Sequence, residues 1–379
     1  MSARAVARGI VVPPARLAVR GLVRARTSAW PDHSRLFALG DRSSWSVEED
    51  AEQLAGTARR LGFEVGPPRW APFAEQQSVF HASHFEALSP RWLRSSHRLG
   101  TAYLHGRPGT PGYPEFDATF EALRRHPDRL ERIQVTHAEM HELVLSAGVD
   151  PARVFRIPIG IDLEHFPPVN PASRMEARRV LDLGDDAFVF GSFQKDGVGW
   201  GEGVEPKLIK GPDVLVAALE RVCAGAPELV VLLTGPARGY VRSELTRLGV
   251  PYRHLIAESR GELARAYHAL DVYVVPSRQE GGPKGVLEAM ASGVPLVSTR
   301  VGQAPDLVDS GCDGFLADVE DAEGIAEAVL LVREDRAVAA ALAAAGRRTA
   351  EEYAYERLDA VWEQLLDGFV VRDERHARN

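Results

Sequence analysis

The chain has 379 residues, 45% of them hydrophobic and 26% charged, with a net charge of −8. That length suits about two domains, and the apolar fraction excludes a disordered chain. The acidic balance argues against nucleic-acid binding, and no apolar run approaches the ~18 residues of a membrane-spanning helix. Cys223 and Cys312 lie far apart, which excludes a disulfide framework or a cysteine zinc site. A cytoplasmic two-domain protein is expected.

Residues 1–31 carry six arginines and no acid. Two readings stay open. Residues 9–13 form a strand followed by a helix over 15–26, with Arg16, Arg20 and Arg24 on one face. Alternatively the segment is a basic amphipathic arm lying peripherally on the inner face of an anionic membrane. From Arg35 the chain alternates. Strands are predicted at 35–39, 78–81, 101–104, 132–135 and 154–157. Ser46, with Glu49 three residues on, reads as the N-cap of a helix running to Leu61. Residues 158–162 read as a linker. A second series follows, with strands at 188–193, 229–233, 252–256, 272–275 and 295–298. Helices are predicted over 211–224, 322–334 and, as one long element, 336–369. Strands alternating with helices imply parallel sheets covered on both faces. The fold class is therefore α/β, with two Rossmann-like domains facing a cleft. The expected division is 1–165 and 166–350, followed by a C-terminal helix over 351–379, with a crossing back to the first domain left open.

Only four of the 45 basic residues are lysine: Lys195, Lys207, Lys210 and Lys284. Lysine is a compact point charge suited to phosphate, whereas arginine is a broad planar fork. Three of the four lie within sixteen residues, in a Gly-rich stretch after the strand at 188–193. The fourth lies in the turn after the strand at 272–275. That turn runs through Glu280, Gly281, Gly282, Pro283, Lys284, Gly285 and Val286 to Glu288. Pro283 suits a first helical position, and free N–H groups at the helix start would face an anion beside Lys284. Glu280, a carboxylate in a strand-to-helix turn, suits ligand hydroxyls. A plainer reading pairs Lys284 with Glu288 on the helix surface. The Gly-rich turn from Thr234 through Arg238 to Gly239 either touches a nucleotide or is an ordinary connection. His81 and His84 lack a suitably spaced partner for a metal, and no metal site is expected.

The stretch 276–306 resembles the signature of retaining glycosyltransferase family 4, enzymes of the GT-B fold. It carries the paired glutamates Glu280 and Glu288, then Ala289, Met290, Ala291, Ser292, Gly293, Val294 and Pro295. The family more often has glycine where this chain has Gln303, and glutamate where it has Asp306. Val79 to Ser83, Thr101 to Gly106, Ile157 to Asp162 and Cys312 to Leu316 are similar to further segments in the same order. The glycine pair usual in the first strand-to-helix loop is absent.

The resemblance implies a retaining transfer of a sugar from a nucleotide-diphosphate sugar to a glycan, a lipid-linked or a small-molecule acceptor. It implies no cofactor beyond that donor. Lys210 matches the family's phosphate lysine, and Lys207 or Lys195 stands in for an arginine the chain lacks. Glu280 would hold sugar hydroxyls, Glu288 the ribose, and His105 the donor sugar. Gly281, Gly282, Lys284, Gly285 and Val286 would border the phosphates. A sugar-nucleotide epimerase or a phosphorylase on the same fold is the alternative. A non-catalytic sugar-nucleotide binding protein ranks last, because it would need neither Glu280 nor His105.

Overall fold

The computed structural model describes residues 14–28, 30–41 and 45–372 and holds two parallel sheets. The first has its strands side by side in chain order: β1 (Leu36–Leu39), β2 (Ser78–His81), β3 (Arg98–Ala102), β4 (Leu130–Val135) and β5 (Val154–Arg156). A parallel sheet must be covered on both faces. The helix Trp45–Arg60 covers one face through Ala51, Leu54, Ala55 and Ala58. Helices Pro114–Arg125 and Ala138–Ser146 cover the other through Leu123, Met140 and Val144.

The second sheet comprises β6 (Phe188–Ser192), β7 (Leu229–Thr234), β8 (Tyr252–Leu255), β9 (Val272–Val275), β10 (Leu296–Thr299) and β11 (Phe315–Ala317). Their order across the sheet is β11-β10-β9-β6-β7-β8. Beside β6 the chain order reverses, so the loops leaving β6 and β9 diverge and leave a crevice at the carboxyl ends of the strands. That crevice is the usual ligand position in such sheets.

Several expectations are corrected. The strand placed at 101–104 is β3, which spans Arg98–Ala102, and glycine is needed at Gly100 in its middle. A Cβ there would lie 2.6 Å from the Phe80 ring and 3.2 Å from that of Phe369. The helix expected to be capped by Ser46 begins at Trp45, which puts Ser46 inside the first turn. The first helix spans Pro14–Thr27, with Val23 buried and Arg24 paired to Glu75; the strand expected at 9–13 lies outside the described residues.

The long helix expected over 336–369 is three pieces. Arg336–Glu352 ends, Ala354 is extended, and a short 3-10 turn, Tyr355–Leu358, leads into the helix Asp359–Leu366. The break has a partner. Ile161 N–H donates to the Tyr353 carbonyl at 3.0 Å, and Tyr355 N–H donates to the Ile161 carbonyl at 3.2 Å. Two extended segments run side by side there, one leaving the first sheet and one returning to it. Beyond the crossing Trp362, Leu365, Leu366, Phe369 and Val370 join Leu36, Ala38 and Phe80 in the core of the first sheet.

Leu365 is fully buried in that core. Leu365→Ala should therefore lower the unfolding free energy by about 2–5 kcal/mol in urea titrations. A change within the spread of surface substitutions would show that the returning segment is not part of the core.

Candidate active site

The loops after β6 and β9 are stitched together before any charged group is placed. Arg278 N–H and Gln279 N–H both donate to the Ile209 carbonyl, at 2.9 and 3.1 Å. The Arg278 guanidinium binds both Asp213 oxygens at 2.7 Å and Glu320 at 2.8 Å. Gly211, with φ 63°, lets the chain turn from a short 3-10 segment, Leu208–Lys210, into the helix Pro212–Gly225. A Cβ there would sit 2.0 Å from the Pro276 carbonyl, so glycine is required by both backbone angle and space.

This frame brings Lys210 and Glu280 into contact. The Lys210 amine reaches both Glu280 oxygens, at 2.6 and 2.7 Å. Ser277 Oγ donates to Glu280 Oε1 at 2.8 Å, and Gln194 Nε2 donates to the Lys210 carbonyl at 2.7 Å. From the first domain comes His105, close enough for Lys210, Glu280 and Lys207 to act on it. Burial first, then the positive charge of Lys210, pushes its pKa down to about 4, so the ring is neutral near pH 7. Lys207 faces the same cluster. Burial, with the charges of Lys210 and Lys195, lowers its pKa. Of the two candidates for the missing arginine, Lys207 is the one whose charge reaches His105, whereas the Lys195 amine sits 3.7 Å over the ring of Trp200. A half-buried pair of amines beside a carboxylate and a neutral imidazole suits a polyanion carrying hydroxyls.

The turn over 281–288 is placed differently from expectation. Lys284 does not face that cluster and makes no surface pair with Glu288. Its amine meets Asp50 at 2.7 Å, Glu49 at 3.2 Å and the Ser46 carbonyl at 3.1 Å, all in the first domain. Burial alone would lower its pKa, but the two carboxylates outweigh burial and raise it. Arg260 also pairs with Glu49, at 2.9 Å. Val286 is fully buried in the core of the second domain, and its N–H donates to the Pro283 carbonyl, so it offers no free donor. Gly285 packs on the Tyr273 ring and Gly282 on the Gln303 side chain. Gly281 approaches the first domain so closely that a Cβ would lie 2.5 Å from that of Leu104. Glu288 accepts a hydrogen bond from the Tyr267 hydroxyl at 2.8 Å, and burial raises its pKa to about 7.

The two departures from the family pattern are contacts between the domains. Gln303 is fully buried. Its Oε1 accepts from Ile159 N–H at 2.8 Å, and its Nε2 donates to the Ile159 carbonyl at 3.2 Å. Asp306 pairs with Arg156, and Thr136 Oγ1 donates to the Gly281 carbonyl at 2.6 Å. The turn containing Arg238 is structural. That guanidinium is buried, donates to the carbonyls of Ser192 and Thr234, and pairs with buried Asp196 at 2.9 Å. Nothing in the sequence marked Glu49 and Asp50 as partners of Lys284, which lies more than two hundred residues further on. His84 stacks on Tyr103 at 4.0 Å between ring centroids, and His81 packs edge-on against Trp92.

Two parallel-sheet domains with a lysine–glutamate cluster between them define the GT-B architecture. Residues 203–335 match the family described as glycosyl transferases group 1. Over 298 residues the chain is 30% identical to D-inositol 3-phosphate glycosyltransferase 1 of Catenulispora acidiphila, covering 73% of this chain and 67% of that one. It is 37% identical over 209 residues to D-inositol 3-phosphate glycosyltransferase of Actinosynnema mirum, covering 52% of this chain; the match spans less than half of that relative's length, 46%. The lipopolysaccharide core biosynthesis mannosyltransferase LpsB of Rhizobium meliloti is 29% identical over 221 residues, 55% of this chain and 60% of its own. In fold, Anabaena HepE, solved with UDP-glucose, superposes with a TM-score of 0.69 at 18% identity, over 88% of this chain and 99% of that one. Sucrose-phosphate synthase of Thermosynechococcus elongatus superposes with a TM-score of 0.68 at 19% identity, over 88% and 98%. The chain belongs to the glycosyltransferase group 1 family.

Because Glu288 ionises at about 7 in the fold against 4.5 ordinarily, folding takes up a proton between those values, and stability falls as pH rises through that window. In Glu288→Gln this loss disappears. The variant's stability relative to the parent should therefore increase from about pH 5 to about pH 8 in urea unfolding. A difference independent of pH would show that Glu288 ionises in the ordinary carboxylate range.

Proposed function

We propose that the protein transfers a sugar from a nucleoside-diphosphate sugar to a hydroxyl acceptor with retention of configuration. The observation that carries this reading is the meeting of Lys207, Lys210, Glu280 and His105 at the crevice beside β6. Breaking the sugar–diphosphate bond builds negative charge on the departing phosphate. Lys207 and Lys210 stand where preformed positive charge can stabilise it. The Lys210 amine can shift from Glu280 to an incoming phosphate, which releases the Glu280 carboxylate for the sugar hydroxyls. Neutral His105 both donates and accepts hydrogen bonds, as a sugar hydroxyl requires. Glu288, one oxygen of which is bonded to Tyr267, takes the ribose in this reading. The leaving phosphate serves as base for the acceptor hydroxyl on the same face, and the charge on that phosphate is neutralised by the chain's own lysines. UDP is the first nucleotide to test, since HepE was solved with UDP-glucose. The acceptor is a glycan, a lipid-linked sugar or a small molecule. Among the relatives named above are two D-inositol 3-phosphate glycosyltransferases and a lipopolysaccharide core biosynthesis mannosyltransferase.

The test is calorimetric titration with UDP, GDP, ADP and dTDP. One nucleotide should bind the parent protein in the micromolar range, and Lys210→Ala should weaken it by at least about tenfold. Glu280→Ala should retain nucleotide binding and lose transfer. Binding of inorganic phosphate with no nucleotide binding would favour a phosphorylase instead.

A further inference from the structure

Between β6 and the helix Pro212–Gly225 the chain makes an excursion that phosphate binding does not require. Lys207 N–H donates to the Asp196 carbonyl at 2.7 Å and Val198 N–H to the Glu205 carbonyl at 2.9 Å, with an antiparallel bridge between Gly197 and Pro206. These bonds make a short hairpin. Its base is fixed: Gly197 and Gly203 press on Ala237, and Asp196 is held by buried Arg238. Its tip stands clear, with Trp200 63% exposed and nothing within 4 Å of where a Cβ would lie on Gly199 or Gly201.

One face of the indole is covered by Lys195. Among the described residues, the lysines with a carboxylate within 4 Å are Lys210 and Lys284, so no carboxylate there neutralises Lys195. The hairpin lies beside the cluster, since Lys195 acts electrostatically on Lys207. It also lies near the first domain, where Glu205 acts on Tyr113 and Glu115 acts on Lys207. Tyr113 stacks on Phe116, which stands edge-on to His105. The hairpin and the 113–116 segment therefore both lie within electrostatic reach of Lys207, and the 113–116 segment packs against His105 through Phe116.

We propose that Trp200 and Lys195 form an acceptor subsite for an anionic sugar or cyclitol. The open face of the indole packs on the C–H face of the ring, and Lys195 binds its phosphate or carboxylate. The proposal rests on the glycosyltransferase reading and extends it to the second substrate. A rigid aromatic ring offers apolar area at small entropic cost, while the hydroxyls of a stacked sugar stay free at its edge. A cation stacked on the opposite face fixes the indole and draws an anion to the ring edge. The donor's own diphosphate is served by Lys207 and Lys210, which leaves Lys195 for the other substrate.

The test titrates the full chain, with and without UDP, using glucose 6-phosphate, myo-inositol 1-phosphate, glucuronate and methyl α-glucoside. Binding is read by calorimetry and by tryptophan fluorescence. At least one anionic ring should bind saturably and change the fluorescence, more tightly than the neutral glucoside. Trp200→Leu should weaken that ring by about tenfold, and Trp200→Phe should keep its affinity while losing the fluorescence change. Lys195→Met should remove the preference for the anionic ring, with UDP affinity unchanged in all three variants. The proposal is overturned if no ring binds, if Trp200→Leu binds the anionic ring as tightly as the parent, or if that variant loses UDP affinity instead. Failure of UDP, GDP, ADP and dTDP alike to bind the parent would overturn the donor reading alone, because the ring titrations without nucleotide still report on Trp200.

Discussion

The turn from Pro276 to Gly285 answers to both domains at once, and the geometry of the cluster follows from that. On one side it is tied to the loop after β6 through the Ile209 carbonyl and the Arg278 guanidinium. On the other, Gly281 touches Leu104 and receives the Thr136 hydroxyl, while Lys284 reaches Glu49 and Asp50. A buried amine with no carboxylate beside it would be costly, so the helix Trp45–Arg60 must sit against the second domain wherever Lys284 is buried. Glu280 lies between these two sets of ties. Its position is set by how the domains meet as much as by the second domain's own fold.

The departures from the family pattern make sense in the same terms. In place of a second glycine, the Gln303 amide satisfies both backbone groups of Ile159 in the linker, a pair of hydrogen bonds glycine could not make. Asp306 meets Arg156 at the end of β5. Each substitution joins the second domain to the connecting segment or to the last strand of the first. In this chain the seam between domains is fastened by side chains near the site.

Much of this was legible in the sequence, and the limit has a physical shape. Parallel strands buried on both faces are continuous apolar runs, so Phe188–Ser192 and Val272–Val275 could be read locally, and with them the loops that follow. The scarcity of lysine marked Lys207 and Lys210, and the paired glutamates with their Gly-rich turn marked Glu280. What failed depended on contacts distant in sequence. Lys284 looked like a phosphate ligand because its own neighbours suit one; its actual partners belong to another domain. The helix predicted over 336–369 rested on a stretch rich in Ala and Leu, and the pairing with Ile161 that opens it at Ala354 involves a residue almost two hundred positions earlier.

That opening bears on how the molecule is made. Trp362, Leu365, Leu366, Phe369 and Val370 join a core whose other members lie mostly in the first strands and the helix Trp45–Arg60. During vectorial synthesis the first domain therefore emerges from the ribosome with one sheet face unfinished, and it stays so while the whole second domain is being translated. Amino-terminal domains ordinarily fold first. Here the order is inverted for one face of the first sheet: the second domain has all its strands before the returning segment from Leu358 to Val370, translated after them, can cover that face.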